Sequence, residues 1–203
     1  IAGCSSALAL AGRGVSVTLL EASSRLGGRY CSVDIGGIER PIDGTQNVFF
    51  RNFDRFLQLL ATCEARESVK LQNSTLLAFL EVEQRRISKI KSGTLPPPNH
   101  LSASFLNANF LGIGDKISMQ KAVQAMQNTD EEQRRELDEL SFLEWLENNG
   151  QTKRAISRFW NPISKLALNV DCSQASAASA IFLFKKALIG NADALDVGCF
   201  TND

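Results

Sequence analysis

The sequence predicts an α/β chain: the second half of a Rossmann-like βαβ unit at the start, then a mostly helical portion that carries a small antiparallel sheet. Three observations carry that expectation. Residues 3 to 12 are mainly Ala, Leu and Ser with almost no charge, as in a helix buried against a sheet, and Gly12-Arg13-Gly14 ends them. Val15-Ser16-Val17-Thr18-Leu19-Leu20-Glu21 is rich in β-branched residues, as a buried parallel strand is, and it closes on an acid. After Pro96-Pro97-Pro98 the chain reads as mainly helical. The first strand of the βαβ unit is expected before Ile1, so the chain is expected to be a piece of a longer protein.

Further elements follow in order. Ser24-Arg25-Leu26-Gly27-Gly28-Arg29 is a glycine loop, with short strands expected at Tyr30 to Val33 and Ile38 to Ile42 around Gly36-Gly37. Asp43-Gly44-Thr45-Gln46-Asn47 is a turn. Phe53, Phe56, Leu57, Leu59 and Leu60 have helical period, with Asn52 the expected N-cap. Leu76 to Val82 and Arg86 to Lys91 read as two strands joined by a polar turn. Thr129 to Glu139 holds six acids and two arginines and is expected to be a solvated, mobile face without chemistry. Ser141-Phe142-Leu143-Glu144 is a capping box opening a helix that stops near Gly150. Thr152 to Asn169 forms another helix, which Pro162 is expected to kink or break. Ala175 to Ile189 is a last, strongly apolar helix. The expected domain boundary divides 1–68 from 69–203.

Composition narrows the function. With 22 Lys+Arg against 22 Asp+Glu the chain has no general field for a polyanion, and no basic patch suggests nucleic acid. Apolar stretches are too short to span a bilayer. The five cysteines, Cys4, Cys31, Cys63, Cys172 and Cys199, are odd in number and contain no C-x-x-C, which suggests neither a metal site nor a disulfide framework and fits a reducing cytoplasm. Cys4 reads as a small core residue. His100, the single histidine, follows a proline run with no nucleophile motif nearby and reads as a loop residue.

The chemistry concentrates near the start. In a dinucleotide-binding turn, glycines let the backbone approach a pyrophosphate, a helix N-terminus supplies N–H groups, and an acid ending the second strand takes ribose hydroxyls. Ala2 and Gly3 stand where that fingerprint ends, and Glu21 follows at the expected interval. The run Glu21-Ala22-Ser23-Ser24-Arg25-Leu26-Gly27-Gly28-Arg29 resembles the stretch that follows the dinucleotide fold in the flavin amine oxidase and phytoene desaturase superfamily. That resemblance implies FAD as cofactor, held by Ala2, Gly3, Glu21, Ala22, Arg25, Gly27, Gly28 and Arg29. Many relatives carry Arg where Ser23 stands. Ile42-Asp43-Gly44-Thr45-Gln46-Asn47 occupies the place of a turn beside the flavin ring, which implies backbone contacts from Gly44 and Thr45; an ordinary Asp-Gly turn explains Asp43 equally well.

In the helical half, Phe142-Leu143-Glu144-Trp145-Leu146, Arg158-Phe159-Trp160-Asn161-Pro162 and Ala167-Leu168-Asn169 resemble the corresponding run in bacterial hydroxysqualene dehydroxylases. The implied reaction is reductive removal of the hydroxyl of hydroxysqualene to give squalene, in hopanoid synthesis. A carotenoid-type desaturase or a flavin amine oxidase stands as the alternative, and a prenyl-binding protein without flavin as a distant one. Phe159, Trp160, Ile163, Leu166 and Leu168 are expected to line a channel for a long isoprenoid, although each alone reads more readily as core; Phe159, Trp160 and Asn161 are the nominated pocket residues. No catalytic acid or base can be named. A bilayer-soluble substrate implies peripheral contact with the cytoplasmic face of a membrane, with Ala178 to Ile189 a candidate segment that reads more readily as a core helix. Oligomeric state is not legible. With two fingerprint glycines outside it, the segment alone is expected to bind FAD weakly.

Overall fold

The structure, a computed structural model, describes residues 1–28, 30–39, 42–43, 48–74 and 76–201. In chain order its helices and strands are α1 (Ala2–Ala11), β1 (Ser32–Val33), β2 (Ile42–Asp43), β3 (Val48–Phe50), α2 (Asp54–Thr62), β4 (Val69–Leu71), β5 (Leu76–Glu81), β6 (Arg86–Lys91), α3 (Ser102–Leu106), α4 (Ile113–Asn128), α5 (Glu131–Glu136), α6 (Phe142–Asn148), α7 (Lys153–Ala155), α8 (Asn161–Leu168), α9 (Ala177–Phe184) and β7 (Val197–Phe200). They fall into two compact units. The first comprises the described residues of Ile1–Phe49, Phe53–Leu71 and Val197–Asp203; the second comprises Phe50–Asn52 and Gln72–Asp196.

In the first unit α1 ends as its sequence predicts: Arg13 N–H donates to the Leu10 carbonyl and Gly14 N–H to that of Ala11. Val15 to Glu21 does not form the expected strand. A parallel strand exists through its neighbours, and this run has no ladder partner among the described residues. Nor is α1 buried along any face; Cys4 is exposed, not a core residue. β1 and β2 pair antiparallel, with Ser32 opposite Asp43. A second sheet has the order β3-β7-β4, with Val69 opposite Phe200. Phe49, Phe56 and Phe200 pack edge to face over it, and Gly198 is required there because a Cβ would come within 2.2 Å of the Phe49 ring. α2 starts one residue later than expected, with Phe53 at the N-cap position, and the Asn52 N–H donates to the Ala194 carbonyl.

The second unit holds the main core. β5 and β6 form the expected hairpin, with Leu76 opposite Lys91 and Glu81 opposite Arg86. The capping box at Ser141 is formed: its hydroxyl accepts from the Glu144 N–H while the Glu144 carboxylate accepts from the Ser141 N–H. Thr129 to Glu139 is largely exposed, as expected of a solvated face, with one anchor. Asp130 caps α5, and Arg134 donates to the Ala178 carbonyl while its guanidinium lies 5.2 Å from the Phe182 ring centroid, so the charged run is docked by one of its own arginines. Between α7 and α8 the helix widens into a π turn over Ile156–Trp160, which absorbs the missing N–H of Pro162 without breaking the rod. α9 continues as a second π turn, Lys185–Ile189. Ala178, Ala180, Ile181, Phe184, Ala187, Leu188 and Ile189 are all buried, so this segment is the core helix that was its better reading, and not the candidate membrane contact.

Where the chain enters and leaves this unit, Arg51 gathers the strands. Its N–H donates to the Asp196 carbonyl, its Nε donates to the buried Asp196 carboxylate at 3.0 Å, and its Nη2 donates to the Gln72 carbonyl. A carboxylate 2% exposed is tolerated because that guanidinium compensates it. Arg51→Met is therefore expected to cost on the order of 3 kcal/mol, read as a lower urea midpoint; a midpoint equal to that of the parent chain would show that Asp196 does not depend on it.

Candidate functional site

The N-terminal loop is built by short-range hydrogen bonds. A Cβ on Gly3 would lie 3.6 Å from Leu19 Cδ1, so the first turn of α1 packs against the segment that ends in Glu21. Gly3 and Glu21 are thereby brought to the same end of the unit. Glu21 Oε1 accepts from the Ser23 N–H at 2.8 Å, and the Ser23 hydroxyl lies 2.9 Å from it and 2.6 Å from the Arg25 carbonyl oxygen, its one proton serving either. The Ser23 N–H first, and then its hydroxyl, hold the Glu21 carboxyl below its ordinary value, so it is an ionised acceptor. Ser23, the departure from the arginine of many relatives, is thus the residue that orients Glu21.

Arg25 is spent in part on the loop itself: Nη1 donates to the Ser32 carbonyl at 2.7 Å. Gly27 has φ +112°, and a Cβ there would meet the Tyr30 carbonyl oxygen at 2.6 Å, so no other residue fits. Gly28 has φ +62° and open space where its Cβ would be, which leaves backbone accessible to a flat or charged ligand. Ala22 lies exposed in the bend between Glu21 and Ser23, and α1 opens at Ile1 with no side-chain cap and no acid in its first turn. Arg29, Gly44 and Thr45 lie outside the described residues. An ionised acceptor and a glycine turn fit a dinucleotide, the first at its ribose hydroxyls and the second at its close backbone approach.

The second unit carries an apolar groove of about 660 Å³, within the usual size of small-molecule sites. Its floor is Phe159, Trp160, Phe184, Leu188 and Ile189; α3 and α4 form its walls, and Lys116 is its one charged lining residue. Phe159 and Trp160, 2% and 1% exposed, are packed in the core and also lie at the groove floor. Trp160 packs edge to face on Phe184 and Phe159, at 4.9 and 5.0 Å between centroids. Its indole N–H donates to Gln151 Oε1 at 2.9 Å, and the Gln151 amide donates to the Ser118 carbonyl.

Asn161 does not line the groove. Its amide donates to Asp171 at 2.7 Å and its oxygen accepts from the Cys172 N–H at 2.8 Å, tying α8 to the loop that follows it. Asn161, and then Lys165, hold the Asp171 carboxyl below the usual range, while burial pushes the Cys172 thiol up to about 11. Ile163 and Leu166 line a different cavity, about 780 Å³, with the β5 strand and Arg158, and Leu168 packs on the core. The turn of the helix at the π segment is what sends successive apolar residues to different sides. Sequence reasoning noted Gln151 in the run Gly150-Gln151 but not its role, because its partner is nine residues away, and it missed the α4 wall, where Ile113 and Ile117 mix with Gln120 and Gln124 on the groove side and blur the period.

His100 also departs from expectation. It is 3% exposed, its Nδ1 has no hydrogen-bond partner, and its carbonyl accepts from Gly93 N–H, so the residue is held inside the unit next to the groove residues Asn99 and Leu101.

Residues 1–194 match the family described as flavin containing amine oxidoreductase, and the chain belongs to that family, whose cofactor is the flavin FAD. Among curated proteins it is similar to the chloroplastic/chromoplastic zeta-carotene desaturases of Solanum lycopersicum, 28% identical over 194 residues, and Zea mays, 28% identical over 202. It is also similar to the zeta-carotene desaturase of Synechocystis sp., 27% identical over 195 residues. Each alignment covers 91% of this chain but 32%, 33% and 39% of the respective relative, so the chain spans about a third of the length of the relatives it matches. These relatives are carotenoid desaturases and not hydroxysqualene dehydroxylases, which favours the alternative over the reading drawn from the helical motifs.

Two outcomes follow from the geometry. Gly27→Ala is expected to cost about 1–3 kcal/mol of loop strain and to weaken flavin retention, whereas Gly28→Ala, with open space beside it, costs about 1 kcal/mol; equal losses in thermal stability would contradict the assigned contacts. Burial holds His100 below its ordinary 6.5, so the neutral ring is fully compatible with the fold above that pH. As pH falls through 6.5 the unfolded chain takes the proton first and stability drops, until pH passes the folded value. Urea midpoints measured from about pH 7 down to about pH 5 should fall more steeply for the parent chain than for His100→Leu.

Proposed function

We propose that the protein is an FAD-dependent oxidoreductase acting on a long carotenoid-like isoprenoid, a desaturase in the manner of the relatives it resembles. The observation that carries this reading is the groove: an aromatic and aliphatic floor with a single charged lining residue. A hydrocarbon without polar handles is held by buried area, at about 25 cal/mol per Å², and such a floor supplies area and little else. An amine substrate is less suited, because Lys116 repels a cation and no carboxylate lines the groove.

The proposed division of labour places cofactor contacts in 1–68 and substrate contacts in 69–203, with Val197–Phe200 returning to the sheet of the first unit. Gly3 and the start of α1 would face the pyrophosphate, Glu21 the ribose hydroxyls, and Gly27 and Gly28 the close backbone approach. FAD, when bound, accepts the two hydrogens that desaturation removes from adjacent carbons. Trp160, fixed by Gln151, and Phe159 would hold a flat polyene against a rigid wall and exclude water.

Removal of a hydroxyl from hydroxysqualene is the second reading, favoured by the Phe159-Trp160-Asn161-Pro162 run. Flavin-loaded full-length protein incubated separately with zeta-carotene, phytoene and hydroxysqualene decides between them. A more unsaturated carotenoid is the expected product; squalene from hydroxysqualene, with the carotenoids untouched, would overturn the desaturase reading, and a colourless protein that takes up no FAD would overturn both.

A further inference from the structure

We propose that the cavity between β5 and α8 is a second ligand site, separate from the groove, and that it takes an aliphatic or isoprenoid alcohol. It encloses about 780 Å³, within the usual size of small-molecule sites, and shares no lining residue with the groove. Phe79, stacked on Phe110 at 4.7 Å and on Phe159 of the groove floor at 5.8 Å, stands between the two. Leu80, Val82, Ile163 and Leu166 give the cavity apolar walls, and its Glu81 and Arg158 form an ion pair. That pair is incomplete. The Glu81 side chain is 14% exposed; its Oε2 accepts from Arg158 Nη1 at 3.2 Å, while its Oε1 is buried without a partner. Arg86, opposite Glu81 across the hairpin, leaves the ion pair to Arg158. The same Nη1 donates to the Phe110 carbonyl at 3.3 Å, and the Nε and Nη2 of Arg158 find no acceptor among the described residues. A buried carboxylate oxygen is normally hydrogen-bonded, and one left bare is costly. The terminal torsion of glutamate is broad, so rotation about it turns Oε1 towards a donor in the cavity.

The two charges choose the head group of the ligand. Oε1 needs a donor, and the guanidinium has donors that need an acceptor. A carboxylate has no proton to give and meets Glu81 and Glu83, whereas an ammonium accepts nothing and meets Arg158. A hydroxyl serves both partners with one oxygen, and it is neutral, as Glu81 and Arg158 are when taken together. Behind the head group the apolar walls hold a hydrocarbon tail by buried area. Leu80 and Leu166, 63% and 71% exposed, are the side chains such a tail covers. None of this rests on the carotenoid reading of the groove, because the site is built from other residues.

Isothermal titration of the protein with ten-carbon probes tests this: the alcohol geraniol, its counterparts geranylamine and geranic acid, the hydrocarbon myrcene, and the unbranched 1-decanol. An alcohol is expected to bind about tenfold tighter than the amine, the acid or the hydrocarbon. Geraniol ahead of 1-decanol marks an isoprenoid alcohol as the ligand, and the reverse order a fatty alcohol; either order supports the site. Glu81→Leu should remove the advantage of geraniol over myrcene. Leu80→Asp with Leu166→Asp changes two exposed side chains, which the fold tolerates, and should weaken geraniol and myrcene alike by about tenfold. Ile117→Asp, on the groove wall, should leave geraniol binding as it is in the parent. Several results would overturn the proposal: no heat from any alcohol, geraniol no tighter than myrcene, geranylamine or geranic acid tighter than geraniol, or a loss caused by Ile117→Asp and not by the Leu80 and Leu166 changes. Carotenoid desaturation by a protein that binds no alcohol would sink this site and leave the desaturase reading standing; alcohol binding by a protein that forms no carotenoid product would do the opposite.

Discussion

The indole of Trp160 can serve as both core and groove floor only because its N–H is satisfied away from water. A buried donor left unpaired costs about 1–3 kcal/mol, and Gln151 removes that cost while passing its own amide to the Ser118 carbonyl. The Ser118 hydroxyl then donates to the Asp115 carbonyl, and Asp115 takes the Thr152 hydroxyl. One chain of hydrogen bonds thus connects α4, the end of α6 and the start of α7, which are elements that wall or support the groove. Around it Phe142, Phe159, Phe184 and Trp145 stack or meet edge to face. The groove keeps its shape because its floor is core, packed at interior density.

The cofactor loop rests on different physics. Nothing in it is buried, and its shape comes from neighbours within seven residues: Ser23 on Glu21, Arg25 on Ser32, and the Gly27 to Tyr30 turn. Such a loop is oriented locally but gains little from burial, so a bound dinucleotide would add much of its stability by mass action. The same locality explains why its residues were visible in the sequence as a continuous run, with Glu21 and the paired glycines in place.

Legibility followed sequence distance. The capping box at Ser141, the hairpin of Leu76 to Lys91 and the stop at Gly12-Arg13-Gly14 each complete themselves within a few residues, and all three stand as read. The β3-β7-β4 sheet was not read at all, because Val48, Val69 and Val197 begin three short strands whose partners are far apart and whose alternation is too brief to register. His100 was misjudged for a related reason, and the anchoring of Arg134 was not foreseen. Polarity predicts exposure on average, but the fold buries one imidazole and docks one arginine where local pattern gives no warning.

By itself the sequence determined the chemistry available at the start of the chain: an acid, two glycines and a near-uncharged helix start, whose roles depend on backbone freedom and charge that residue type alone supplies. It also determined the starts of the helices at Asp54, Phe142, Lys153 and Ala177 to within a few residues, but not those of α3, α4 and α5. Only the tertiary structure decided that Phe159 and Trp160 face one groove, Ile163 and Leu166 another cavity, and Asn161 neither. The physical reason is that the helix carries successive residues to different sides, and its π turn before Pro162 shifts that phase, so Phe159 to Leu168 are shared among three environments.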